Sequence, residues 1–267
     1  MPGSLIFSLA ALAALVPATV SALRAGGQRD ALFWLLLAVA IAGPLAWVWT
    51  QFAEGWRTGF APALWTTMVT TLAVFAAVAA TSREGWRLAA LLFPYLLLIG
   101  LGALVWQDRP ERELVAGGPT AWIGVHIAFS LLTYATLTLC AIAGLAAFLQ
   151  ERAIKAKRPD GGLARLLPSL SAAETLELKL LGLTTGILAL GVTTGMAVEY
   201  LESGRLMALG HKTLFSLATL AVLALLLLAR RVSGMRGRRA ARIVLLAYLL
   251  LTLGYPGVKF VTDVIVT

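Results

Sequence analysis

Among 267 residues, His126 and His211 are the only histidines, and they are the side chains best suited to chemistry. His126 lies about two turns into the apolar run 120–150, and His211 opens the run 212–229. Imidazole is the commonest metal ligand, and an ionisable ring inside a membrane-crossing segment is costly enough to mark a functional site. Taken singly, each ring reads as a residue hydrogen-bonded to a neighbouring helix or to lipid headgroups. Together, at one face of a membrane, they read as shared ligands of one metal centre.

That reading depends on the elements that carry the rings. Sixty percent of the chain is hydrophobic, 13% is charged, and the mean hydropathy is +0.87. Soluble domains carry about a quarter charged residues, so this is a membrane protein. A bilayer core of roughly 30 Å takes about 20 apolar residues as a helix. Eight runs meet that requirement: 4–23, 31–50, 61–81, 87–106, 120–150, 174–201, 212–229 and 241–262. The expected fold is all-α, a polytopic transmembrane helix bundle of about eight spans forming one integral domain over 1–267. Met1-Pro2-Gly3-Ser4 lacks the basic region of a secretory signal, so the first run is expected to be a retained span.

The net charge of +9 sits in short loops, a pattern read by membranes and not by nucleic acid. Sixteen of the 22 Lys and Arg lie in the first, third, fifth and seventh loops, Lys179 beside the fifth included. The Arg-rich seventh loop runs from Arg230 to Arg242. Those loops are expected to be cytoplasmic and both termini outside, which brings His126 and His211 to the outer level. Trp47, Trp49, Trp56, Trp65, Trp106 and Trp122 fall towards that face, as an aromatic belt would.

Ser171 with Glu174 reads as a capping box starting the sixth helix. The basic fifth loop before it reads as a solvated, lipid-facing surface. Gly182-x-x-x-Gly186 and Gly191-x-x-x-Gly195 in the sixth span, and Thr136, Cys140, Gly144 and Ala147 in the fifth, read as small-residue stripes that let the two helices pack closely. Cys140 is the only cysteine, which excludes an internal disulfide and a C-x-x-C thiol pair.

A zinc centre would want four ligands, and only Glu199, Glu202 and acids of the fourth loop stand near the histidines. Haem asks for two axial groups and an apolar slot, so haem is the better fit. It would be bound non-covalently, because a single cysteine offers no C-x-x-C for covalent attachment, with iron between His126 and His211. Ser130 and Thr133, below His126 on one face, are expected to line the slot or orient a ring nitrogen.

The fifth helix, W-I-x-x-H-I with Tyr134 and the ending L-Q-E-R-x-I-K-x-K, resembles the cytochrome c assembly membrane proteins, the broad CcsA and CcmC family. Leu167-Pro168-Ser169-Leu170, the L-x-x-T-x-G element from Leu190 to Gly195, Gly210-His211-Lys212-Thr213, the Arg236–Ala241 block and Tyr255-x-Gly257-x-Lys259-Phe260 extend the likeness. The G-H-K-T element and the eight-span layout look most like the branch containing YpjD and the HemX proteins. The resemblance implies a haem-binding protein of the bacterial inner membrane, acting at its outer face in cytochrome c assembly, with His126 and His211 as ligands. The W-G-x-x-W-x-W-D motif of the haem-handling members has no counterpart, because 199–205 holds no Trp. The expectation is an accessory role, not an enzyme, with b-type haem as cofactor.

Expected partners are membrane lipids, other assembly proteins or an apocytochrome, and no nucleic acid. Arg109, Arg112, Arg205 and Lys212, in the loops flanking the histidines, are natural contacts for haem propionates. Two other functions fit the same chain: a HemX-like regulator of tetrapyrrole synthesis, or a transporter of haem or another solute. No acidic residue is expected deep in a span, which disfavours proton-coupled transport.

Overall fold

The computed structural model describes residues 2–24, 27–53, 57–107, 112–113, 121–158, 161–204, 206 and 210–261. Eight helical segments in it are long and apolar enough to cross a membrane, at the positions the hydropathy pattern predicts. The first is broken into α1 (Pro2–Ala13) and α2 (Val16–Ala22), with Pro17 in the first turn of α2, where a missing N–H costs nothing. Then follow α3 (Ala31–Ala53), α4 (Phe60–Thr81) and α5 (Ala89–Val105). The second half holds α6 (Ala121–Lys155), α7 (Leu170–Ser203), α8 (His211–Ser233), α9 (Gly237–Thr252) and the short α10 (Val258–Phe260). The loops after α3 and α5 meet in a two-residue antiparallel pair, β1 (Arg57–Thr58) with β2 (Arg112–Glu113).

The centre of the bundle is α6, which packs on α7, α9 and α4. Every residue from Thr133 to Gly144 is buried. In a membrane, hydrophobicity alone does not separate core from lipid-facing helices. Small residues do, because they let neighbouring backbones approach. Thr136, Cys140, Gly144 and Ala147 are all buried, as the stripe predicts. A β-carbon on Gly144 would stand 3.1 Å from Glu177 Oε1 and 3.5 Å from the Ala241 α-carbon. The stripe therefore serves contacts to α7 and α9 together. In α7 the two glycine pairs divide: Gly191 is buried against α6, whereas Gly182 and Gly186 are exposed, with nothing within 4 Å of an added β-carbon. Only the second pair supports helix packing.

Three tyrosines in the bundle pair their hydroxyls with one another, as a water-free interior favours. The Tyr95 hydroxyl meets that of Tyr248, which donates to the Tyr134 hydroxyl at 3.2 Å. Tyr134 and Thr252 Oγ1 are 3.1 Å apart, so the chain ties α5, α6 and α9. One acid, Glu177, lies about two turns into α7, near the end where the sixth span starts. It is fully buried in α7 and ion-paired with Arg230, whose side chain is only 5% exposed. Arg230 thus belongs to the last turn of α8 and not to a solvated loop.

The start of α7 is also corrected. Ser169, not Ser171, is the N-cap: its Oγ accepts from Ala172 N at 3.4 Å. Glu84 accepts from Ser169 N at 2.6 Å and from Ser169 Oγ at 3.1 Å, tying the third loop to this cap. Gln150 donates to the carbonyls of Ala164 and Pro168, both at 2.9 Å. Lys155, Lys157 and Arg158 remain exposed, while the turn 162–168 is docked onto the bundle. The tryptophans divide as well. Trp49 and Trp122 are exposed as a belt requires, but Trp47 and Trp65 stack at 5.1 Å inside the core. Trp56 lies outside the described residues.

Candidate functional site

His126 occupies the second turn of α6, and its ring is held by α7. Nδ1 lies 3.1 Å from Gly191 O and 3.3 Å from Thr194 Oγ1. A carbonyl only accepts, and the Thr194 hydroxyl already donates to carbonyls of its own helix. Nδ1 is therefore the protonated nitrogen, and Nε2 keeps its lone pair. The four-residue spacing of Gly191 and Gly195 makes this seat. A β-carbon on Gly195 would stand 2.9 Å from the His126 Cε1 atom, closer than any side chain tolerates.

The ring borders a cavity of about 390 Å³, within the roughly 300–1,000 Å³ range of small-molecule sites. Its wall is mostly apolar, with Ile127, Leu131, Leu188, Val192, Leu217 and Leu251 contributing. The polar groups at it include Glu199 from α7 and Lys212 and Ser216 from α8. Tyr134, the end of the tyrosine chain, lines it too. Helices α6 and α8 face each other across this space, with α7 and α9 packed against both. Gly254 and Tyr255 close one side from a π-helical turn, Leu253–Gly257, at the end of α9. Such widened turns recur at functional sites.

The structure brings His126 and Lys212 to one cavity. It does not bring His211 there: the side chain is exposed and is not part of the lining. The reason is helical phase. At about 100° per residue, His211 sits about 170° from the mean direction of Lys212, Thr213, Ser216 and Leu217, which do line the space. Arg109 and Arg205 lie outside the described residues. Arg112 is described only as backbone of β2. Ser130 and Thr133 line the cavity as expected, but they do not orient the ring. Their hydroxyls donate to His126 O at 2.9 Å and Phe129 O at 2.7 Å. Among the described residues no cluster of three or more His, Cys, Asp or Glu is placed to hold a metal ion.

Eight long apolar helices, with one imidazole bordering a cavity between them, define a polytopic membrane protein. The chain matches the cytochrome C assembly protein family over residues 30–266, and it belongs to that family. It is 49% identical over 270 residues, 99% of either chain, to a protein of Azospirillum brasilense described as an uncharacterized 28.8 kDa protein in the nifR3-like 5' region. No solved structure matches. Family membership supports a role in cytochrome c biogenesis.

Proposed function

We propose that this protein binds b-type haem in the cavity beside His126 and serves cytochrome c biogenesis as an accessory, non-enzymatic component. The observation that carries the reading is His126 itself. Gly191 O and Thr194 hold the protonated Nδ1, leaving Nε2 as an iron ligand. The apolar wall of the cavity suits a porphyrin face, and Lys212 offers a cation for a propionate. Arg109, Arg112 and Arg205 belong to the loops flanking that end and are further candidates for the same contact.

A second residue to hold the iron would come from the first turn of α8, which borders the cavity. His211 stands there beside Lys212, but supplying it would require that turn to rotate towards the cavity. We therefore assign the role of holding the iron to His126 first. Basic residues concentrated in alternate loops support a bacterial inner membrane with both termini outside and the His126 cavity at the outer face. The G-H-K-T element and the eight spans support a place near the YpjD and HemX branch.

The test is an absorption spectrum of the detergent-purified protein after expression with haem supplied. A Soret band retained through size-exclusion supports the reading, and its absence at full haem supply refutes it. Deleting the gene in its own host should reduce haem-stained c-type cytochromes, and unchanged staining would remove the biogenesis role.

A further inference from the structure

A second cavity, of about 280 Å³, lies at the opposite end of the bundle from His126, among the ends of α2, α3 and α5 and the turn after α6. Three loops far apart in sequence each deliver one arginine to it: Arg24, Arg87 and Arg165. Convergence from three separate loops is not what scattered interface anchors would give. No carboxylate is part of the lining among the described residues. The nearby acids are already engaged. Asp30 Oδ1 accepts from Phe33 N at 2.9 Å as the cap of α3, and Glu84 holds Ser169.

Arg87 is held in place, donating to Leu167 O at 3.3 Å with its guanidinium 5.4 Å from the centre of the Trp86 ring. Arg24 and Arg165 are exposed and have no ion-pair partner among the described residues. Behind the arginines the wall turns apolar, through Phe33, Leu36 and Phe93. Next to it α3 exposes Leu32 and Leu35, which face lipid in a membrane.

We infer that this cavity binds an anionic phospholipid, its phosphate on Arg24, Arg87 and Arg165 and an acyl chain leaving along Phe33 and the exposed face of α3. Arginine forks suit phosphate oxygens, and basic pockets between membrane helices select anionic headgroups. A water-soluble anion would use the arginines but gain nothing from the apolar wall. The site is separate from the His126 cavity and does not depend on haem.

Native mass spectrometry of the full chain, released from detergent with phosphatidylglycerol or phosphatidylcholine added, tests this. Phosphatidylglycerol should stay bound and phosphatidylcholine should not. The double variant Arg24→Gln/Arg165→Gln should weaken phosphatidylglycerol binding by roughly tenfold or more. Arg24→Lys/Arg165→Lys should retain most of it, which separates lost charge from misfolding. Arg231→Gln/Arg239→Gln, two exposed arginines outside the cavity, should match the unaltered protein. Equal retention of both lipids, an unaffected Arg24/Arg165 variant, or an equal loss in the Arg231/Arg239 control overturns the inference. So does displacement of the lipid by excess inorganic phosphate, which would make the site a free-anion site.

Discussion

His126 and Gly195 contend for one space. The imidazole lies where a side chain at position 195 would begin, with Cε1 2.9 Å and Nδ1 3.3 Å from the place of a β-carbon. A helix-packing glycine is the seat of the His126 ring, and the ring's orientation depends on a residue with no chemistry of its own.

Gly195→Ala should therefore push the ring from its seat, break the bond to Gly191 O and lower haem retention by at least about tenfold, since ligand-orienting contacts carry effects of that order. Gly182→Ala is the matched control, because its β-carbon meets nothing within 4 Å. Haem-to-protein ratio after purification is the measurement. Equal ratios in the two variants would show that the seat does not matter.

The buried pair Glu177–Arg230 gives a second expectation. Removing one partner leaves an uncompensated charge in a dry interior, so Glu177→Ala and Arg230→Ala should each destabilise by about 3–5 kcal/mol. Glu177→Met/Arg230→Met removes both charges and should fall much less. The midpoints of thermal unfolding in one detergent decide it. A double variant no better than the singles would point to lost hydrogen bonds instead of a stranded charge.

The eight spans were legible in the sequence because the bilayer imposes a length and a composition on every crossing helix. His126 was legible as an ionisable group in an apolar run. What holds it was not. Gly191 and Thr194 lie 65 and 68 residues away, and only the packing of α6 on α7 joins them. The L-x-x-T-x-G element from Leu190 to Gly195 was the signal available, and it contains Gly191, Thr194 and Gly195. His211 was misplaced for a different reason. Its level in the membrane follows from loop order, but its direction follows from where α8 starts, and one residue of phase turns the side chain by about 100°. Arg230 looked like a loop residue because α8 extends beyond the apolar run 212–229.

The orientation has its own check. Sixteen of the 22 basic residues mark the first, third, fifth and seventh loops, and the arginine cavity and the His126 cavity lie at opposite ends. Reporter fusions after Arg158 and after Arg238 should read cytoplasmic, and one after Arg112 should read external. A cytoplasmic signal at Arg112 would move the His126 cavity to the inner face.

The central claim is that His126 presents its Nε2 to a bound haem iron. Absorption spectra of His126→Ala and His211→Ala, purified beside the unaltered protein, test it most directly. His126→Ala should lose most of the Soret band while still inserting in the membrane. His211→Ala, whose ring stands outside the cavity, should keep most of it. A wild-type spectrum in His126→Ala contradicts the claim, and equal loss in both variants would return His211 to the iron as the second axial ligand.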